Sequence, residues 1–520
     1  SGDTEIVLAA YERWGEQCVS RFEGMWSFII YDSVKNILFG SRDRFGQKPF
    51  HYGVFNSYFI VASEIKQFMH VPGFKATLNH KEGFNFLNYG GLNYSDDTLF
   101  EGVRSLPSGH NLYYDLSTHR YTISEWYFFP ERKTNRIGLH EAAQEFRRLL
   151  EQSVQLRMGT DARLGSCLSG GLDSSSIVCI IDKLIKKKEN FVTLSICWHD
   201  KSIDEQEYID IVSDHTSRGI NEKIFPDLDD LNQRNILEKI IYHQDQPILT
   251  TSHFAEYKVY EAAGERGLRV VMDGQGADEY LGGYGLFNWY HMHGLFNQYR
   301  FRSLSREWRA MRERSDMRHH QILRHLLYMK YTRRKPAMAG FINPQWAKDL
   351  IDENPMLPPN NARLSAKFLS RHQVFNSSLP YQLHSADRNS MCHSVESRLP
   401  FLDHQLVEYC YLLPDTLKIS AGKSKIVLRE GMSGVLPDEI RDRSTKLGFP
   451  SPQKAWMLKN AKWIGKELNG NAVAYGDLID PSKIKDEFSH FAGSGRGDHD
   501  HFFRILSFNQ WLKIFDVSIS

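Results

Sequence analysis

Apolar and polar positions alternate with a period of two in the first quarter of the chain. The stretches "MWSFIIYD", "NILFGSRD", "YFIVASE" and "HNLYYDL" set β-branched and aromatic residues between turn-forming segments, and each predicts a short, half-buried strand. Ahead of them, "DTEIVLAAYERWG" has apolar residues at helical spacing that stop at a glycine, which predicts an opening helix. After the polar run "PERKTNRIG" comes a long helical pattern, "LHEAAQEFRRLLEQSVQLRM", and the boundary between two domains, 1–130 and 131–520, is placed there. From Asp161 onward the period changes. Continuous apolar runs, "RLGSCLSGG", "NFVTLSICW", "NEKIFPD" and "RVVMDGQG", alternate with helices, the pattern of a parallel sheet with crossover helices. The predicted class is α/β, with a site at the carboxyl ends of these strands. A long helical insertion is expected between Tyr284 and about Val374.

Composition narrows the classes. At 520 residues the chain should hold two to three domains. A net charge of +1 gives no global attraction to nucleic acid or an acidic membrane. Within the insertion, Arg300 to Lys335 carries 12 Lys or Arg against 3 acidic residues, and a solvated helical cover is expected there rather than a nucleic-acid surface. The six cysteines form no CxxC pair, so reduced thiols and no zinc site are expected. No apolar run is long enough to span a bilayer. The expectation is a cytoplasmic protein without membrane or nucleic-acid partners, with a homodimer left open.

Three clusters carry candidate chemistry. "SGGLDSS", Ser169 to Ser175, follows a strand and opens a helix, so the N–H groups and hydroxyls of Ser169, Gly170, Gly171, Ser174 and Ser175 can surround an anion. The loop has no lysine, unlike a Walker-type loop. It suits a phosphate pair that departs together as pyrophosphate, with Asp173 placed to reach Mg²⁺. The second cluster, "VVMDGQGADEYLGGY", places Asp273, Gly274 and Gln275 at a strand end and Asp278 just beyond, so Asp173 and Asp278 could share a hydrated Mg²⁺ bridging the phosphates of ATP. The third, "SADRNSMCHSVESRLPFLDH", is expected to be a helix ending before Pro400. For Asp387, Arg388 and Asp403 a buried ion-pair network is weighed against a role in the site, and Glu396 is assigned to the site. Lys425 in "GKSKIVLRE" and Lys446 in "STKLGFPSP" are candidate cations for the transferred phosphate and the leaving pyrophosphate.

With these motifs, the chain resembles the glutamine-hydrolysing asparagine synthetases, and its second domain is also similar to β-lactam synthetases and lasso-peptide cyclases. The resemblance implies the later half of an Ntn-type glutaminase α+β sandwich, carried by "FEGMWSFIIYD", "SRDRFGQKPFHYG" and "ASEIK", followed by a PP-loop ATP pyrophosphatase domain. It implies that Leu168, Ile196, Asp273 and Gly274 border ATP, that Asp173 and Asp278 hold Mg²⁺, and that Lys446 stabilises adenylation. The implied reaction adenylates a carboxylate, aspartate by default, releases AMP and pyrophosphate, and makes an amide with nitrogen from glutamine or ammonia. Asp3 falls on an aspartate of the glutamine pocket. The family's N-terminal cysteine has no counterpart in this sequence, so glutamine hydrolysis is not expected of it as it stands, and Ser1 falls where the family has an internal loop. Gln275 stands where asparagine synthetases commonly have Glu and β-lactam synthetases Tyr, and a neutral amide cannot take a proton from the attacking nitrogen. Glu396, in a position resembling the Glu that partners that Tyr, is the expected acceptor. A sugar acid, peptide or natural-product carboxylate is the alternative substrate, and an ATP-binding scaffold the non-enzyme alternative.

Overall fold

The computed structural model describes residues 2–130, 137–159, 162–185, 191–216, 219–233, 235–315, 317–328, 340–348, 350, 354–357, 364–444, 451–469 and 474–519. After the opening helix Asp3–Trp14, the first domain is built on β1 (Ser27–Asp32), β2 (Ile37–Arg42), β3 (His51–Phe55), β4 (Tyr58–Ala62), β5 (Arg104–Ser105), β6 (His110–Asp115) and β7 (Arg120–Glu125). These form two antiparallel sheets, ordered β1-β2-β6-β7 and β4-β3-β5. Alternation places Leu112 and Tyr114 of β6 on the face that meets Tyr52 and Phe59 of the other sheet, and the rings of Phe59 and Tyr114 stack at 4.2 Å. Three strands, β3, β5 and β7, lie outside the predicted set, because Gly53 and the charged ends of "RYTISE" dilute the apolar signal and β5 is only two residues long.

The second domain centres on β8 (Leu164–Cys167), β9 (Phe191–Ile196), β10 (Ile220–Ile224), β11 (Val270–Met272) and β12 (Glu396–Arg398). All pair in parallel, in the order β10-β9-β8-β11-β12. Both faces are covered, which is why these strands read as continuous apolar runs. Val192, Leu194 and Val271 pack against Val259, Tyr260 and Ala263 of helix Ser252–Glu265. Leu164, Val270 and Met272 meet helices Leu139–Arg157 and Leu172–Leu184 on the other face.

The third motif departs from its predicted form. Its helix, Ser378–Met391, stops well before Pro400. Ser394 takes a left-handed φ of 58°, and Glu396–Arg398 becomes the edge strand β12. Buried Val395 anchors this strand, so tertiary packing overrides the helical reading. Asp387, Arg388 and Asp403 are engaged in ion pairs. Lys48 of the first domain reaches Asp387 at 2.9 Å, Arg388 lies 3.7 Å from both Glu64 and Asp245, and Asp403 pairs with Arg157 at 3.2 Å while capping helix His404–Leu412. The Arg388 contacts join the two domains.

The insertion is helical where described. Helix Phe301–Ser315 exposes Arg302, Arg306, Arg309 and Arg312, as a solvated cover should. Its opposite face braces a neighbouring hairpin, where buried Glu307 accepts the N–H groups of Ala421 and Gly422, each at 3.0 Å, in the turn that leads to Lys425. No helix among the described residues is long and apolar enough to cross a membrane.

Candidate active site

At the carboxyl edge of the parallel sheet the chain leaves β8 through Leu168, turns at Ser169-Gly170-Gly171 and enters helix Leu172–Leu184. Gly170 sits at φ 70°, and a Cβ there would fall 2.6 Å from the Cβ of Tyr208, so the turn requires glycine. The Ser169 N–H donates to Ser174 Oγ at 3.1 Å, which folds the loop over the first turn of the helix and its orphan N–H groups. Arg443 braces the loop from behind. Its guanidinium donates to the Gly170 carbonyl at 3.3 Å, pairs with Glu205 at 2.5 Å, and lies 3.7 Å over the Tyr208 ring.

The second strand end meets the first loop closely. A Cβ on Gly274 would lie 3.1 Å from both Asp173 Cβ and the Ser174 nitrogen, and one on Gly283 would lie 1.7 Å from Asp278 Oδ1. Glycines thus let the Asp173 and Asp278 carboxylates converge on one point, and the Lys425 ammonium occupies it, 2.5 Å from Asp173 Oδ2 and 2.6 Å from Asp278 Oδ1. Burial disfavours the lysine's charge, but the two carboxylates outweigh burial and hold its pKa above the ordinary value. Asp173 Oδ1 is buried without a hydrogen-bond partner among the described residues. Two carboxylates already arranged around a cation, with an oxygen to spare, fit Mg²⁺, which takes one or two carboxylates and fills its remaining positions with water and phosphate oxygens.

These elements frame a cavity of about 890 Å³, at the upper end of the range for small-molecule sites. Leu168, Ser169, Gly171, Asp173, Ser174 and Ile196 line it, as do Asp273, Gly274, Gln275, Asp278 and Lys425. Gly170 turns the loop without lining the cavity, and Ser175 is fully buried beneath it. Asp3 is exposed in the first turn of the opening helix, and Lys446 lies outside the described residues.

Glu396 is the sequence-predicted residue that the fold takes elsewhere. It is paired in register with Val270, the first residue of β11, and so stands at the amino end of the sheet, whereas the cavity opens at the carboxyl end. Its carboxylate pairs with Arg398 at 2.7 Å, and Arg398 in turn donates to the carbonyls of Arg157 and Gly159. The assignment of Glu396 as proton acceptor is corrected on this ground: the strand pairing that anchors it also removes it from the cavity.

Several lining residues had no sequence signal. Helix Ser252–Glu265 contributes His253 and Glu256, and helix Ser378–Met391 contributes Tyr381 and Gln382, beside Ser385 of the third motif. Each stands singly in a helical pattern, where a polar residue normally marks a solvated face. Burial raises Glu256 to about 7, with Asp273 adding to the shift, and burial raises Asp273 to about 6. Only the helix assignment combined with the cavity reveals that these two carboxylates share one lining.

The sequence profile described as asparagine synthase matches residues 145–513, and that described as a glutamine amidotransferase domain matches residues 1–127. Asparagine synthetase [glutamine-hydrolyzing] 1 of Bacillus subtilis is 26% identical over 504 residues, covering 92% of this chain and 76% of that protein. A putative asparagine synthetase [glutamine-hydrolyzing] 2 of Methanocaldococcus jannaschii is 34% identical over 289 residues, 54% of each chain. Amidase chry2 of Gibberella zeae is 25% identical over 508 residues, covering 88% of this chain and 74% of that one. The chain belongs to the asparagine synthase family of carbon–nitrogen ligases, with a glutamine amidotransferase-type domain preceding its synthase domain.

Proposed function

We propose that this protein is an ATP-dependent amide-forming ligase that adenylates a substrate carboxylate, with aspartate as the default acceptor, and joins to it nitrogen from glutamine or ammonia to give the amide, asparagine. The observation that carries this reading is the convergence of Asp173 and Asp278 on one cation position beside a lysine-free phosphate-binding turn. Such a turn grips phosphates through N–H groups and hydroxyls and leaves the α-phosphate open to attack, so that the β- and γ-phosphates depart as pyrophosphate.

In this reading the helix N-terminus at Gly171 to Ser174 orients the departing phosphates. Leu168 and Ile196 flank the nucleotide, and Asp173 and Asp278 would hold Mg²⁺, which supplies charge neutralisation at the phosphates when bound. Lys425, which lies between the two carboxylates, would be a cation available to the phosphates with Mg²⁺ bound. Lys446 is the second such cation. Gln275, at the strand end and lining the cavity, positions the nitrogen nucleophile by hydrogen bonds.

The test is pyrophosphate release from ATP and Mg²⁺ with ammonium chloride, with and without aspartate, and mass spectrometry of the products. Aspartate-dependent pyrophosphate with asparagine is expected. Pyrophosphate released only with another carboxylate would replace aspartate as acceptor while keeping the reaction class. A specialised acceptor is the second reading, favoured by Gln275, a neutral amide at the turn after β11 that lines the cavity.

A further inference from the structure

Amide formation from an activated acyl group liberates a proton from the attacking nitrogen, and Gln275, the residue at the turn after β11, has no basic group to receive it. Among the described residues six carboxylates line the cavity, and four of them are tied to cations. Asp173 and Asp278 bind Lys425, Glu205 binds Arg443 at 2.5 Å, and Asp442 binds Arg441 at 2.7 Å. The remaining two are Glu256 and Asp273. His253, the histidine of this lining, is also engaged: its Nδ1 faces the Thr250 carbonyl at 3.0 Å and so carries the proton, while its Nε2 accepts the Tyr381 hydroxyl at 2.5 Å.

Glu256 is held as a base should be. Its Oε2 accepts the Ser385 hydroxyl at 2.6 Å and the Asn389 amide at 2.7 Å, while Oε1 has no partner among the described residues. Asn389 is fully buried, and its own oxygen accepts from Gln244 at 3.2 Å, which fixes the amide with its N–H groups towards the carboxylate. All of these donors are neutral, so they position Glu256 without neutralising it. Asp273 is more committed. Its Oδ1 accepts the Gly274 N–H at 2.6 Å and so shapes the turn that meets Asp173.

We propose that Glu256 is the proton acceptor of the amide-forming step, in the role that Gln275 cannot fill. The inference rests on the adenylating reading given above. In the step, the nitrogen lone pair forms the C–N bond to the acyl carbon. The C–O bond to the adenylate phosphate breaks with its electron pair leaving on AMP, and one N–H proton passes to Glu256 and from there to water. Burial and the nearby Asp273 carboxylate, which hold Glu256 at about 7, suit a group that must gain and lose a proton near neutral pH.

The test separates the two half-reactions in the full chain, with ATP, Mg²⁺, aspartate and ammonium chloride. Carboxylate-dependent exchange of labelled pyrophosphate into ATP reads adenylation, and asparagine reads the amide step. Glu256→Gln, whose Oε1 can accept from both Ser385 and Asn389, is expected to exchange within about threefold of the parent and to form amide about 10²-fold or more slowly. Amide formation within about threefold of the parent would overturn the proposal. So would an equal fall in exchange and amide, or the same selective loss in Asp273→Asn but not in Glu256→Gln. Should Glu256→Gln not fold, Glu256→Asp decides the matter: withdrawal of the carboxylate should slow the amide step selectively, and parental rates in both steps would refute the role. A parent that releases no pyrophosphate with aspartate or with any carboxylate of a panel removes the adenylating reading and this proposal together, an outcome distinct from all of these.

Discussion

Replacing Lys425 by Met removes the ammonium from between Asp173 and Asp278 while keeping a side chain of similar length. The lysine side chain is 3% exposed and each carboxylate 15%, so the variant leaves two facing, largely buried negative charges with no counterion. Breaking a buried ion pair in this way costs about 3–5 kcal/mol, and access of cavity water to the carboxylates places the value near the lower end, at about 3 kcal/mol. For a large domain this corresponds to a fall of about 6 °C in melting temperature. Differential scanning calorimetry in magnesium-free buffer, without nucleotide, reads it directly. Mg²⁺ should then substitute for the lost ammonium, and free Mg²⁺ at ten times its dissociation constant should return about 1.4 kcal/mol, or about 3 °C. The parent, whose carboxylates are already neutralised by Lys425, should respond far less. A variant that melts with the parent, or a magnesium response equal in both proteins, would refute the idea that Lys425 stands where a divalent cation binds.

The other predictions concern the frame and the carboxylates of the cavity lining. Glu307→Ala orphans the N–H groups of Ala421 and Gly422 and loosens the hairpin leading to Lys425; the KM for ATP in pyrophosphate release should rise several-fold, with helix content by circular dichroism unchanged. Arg388→Met removes one of two cations between Glu64 and buried Asp245, while Lys66 still pairs with both at 2.6 and 2.9 Å, so it should cost only about 1 kcal/mol, read as a small fall in melting temperature by calorimetry. Glu256 at about 7 and Asp273 at about 6 are raised above their unfolded values, so the folded state holds protons that the unfolded chain releases. Their stabilising contribution is whole below about pH 4 and is lost as pH rises through about 6 to 7. Glu256→Gln removes that loss, and its gain in stability over the parent should grow by on the order of 2 kcal/mol between pH 5 and pH 8, measured by thermal melts across that range.

The strand, turn and helix around Ser169 to Ser175 were legible in the sequence because the constraint there is local. Glycines between a strand and a helix can do little else, and the residues of "SGGLDSS" and "GQGADE" meet at one sheet edge because parallel strands must end together. Glu396 was misplaced for the opposite reason. Its neighbourhood reads as helix, and only its pairing with Val270, set 126 positions earlier in the chain, decides that it faces the other end of the sheet. Glu256 was invisible because it is one polar residue in a helical pattern, and its hydrogen bond with Ser385, the first residue of the third motif, joins helices that periodicity cannot place side by side. The described part of the Arg-rich insertion exposes Arg302, Arg306, Arg309 and Arg312, yet its buried Glu307, the residue that ties it to the Lys425 hairpin, reads in sequence as one more surface charge.

The most direct test of the account is which bond of ATP is broken. Incubation of the protein with α-labelled ATP, Mg²⁺, ammonium chloride and aspartate, followed by separation of the nucleotides, should give labelled AMP in step with pyrophosphate, both dependent on the carboxylate. Labelled ADP with inorganic phosphate would contradict the central claim, because a turn that grips the β- and γ-phosphates together for departure cannot be the site of γ-phosphoryl transfer.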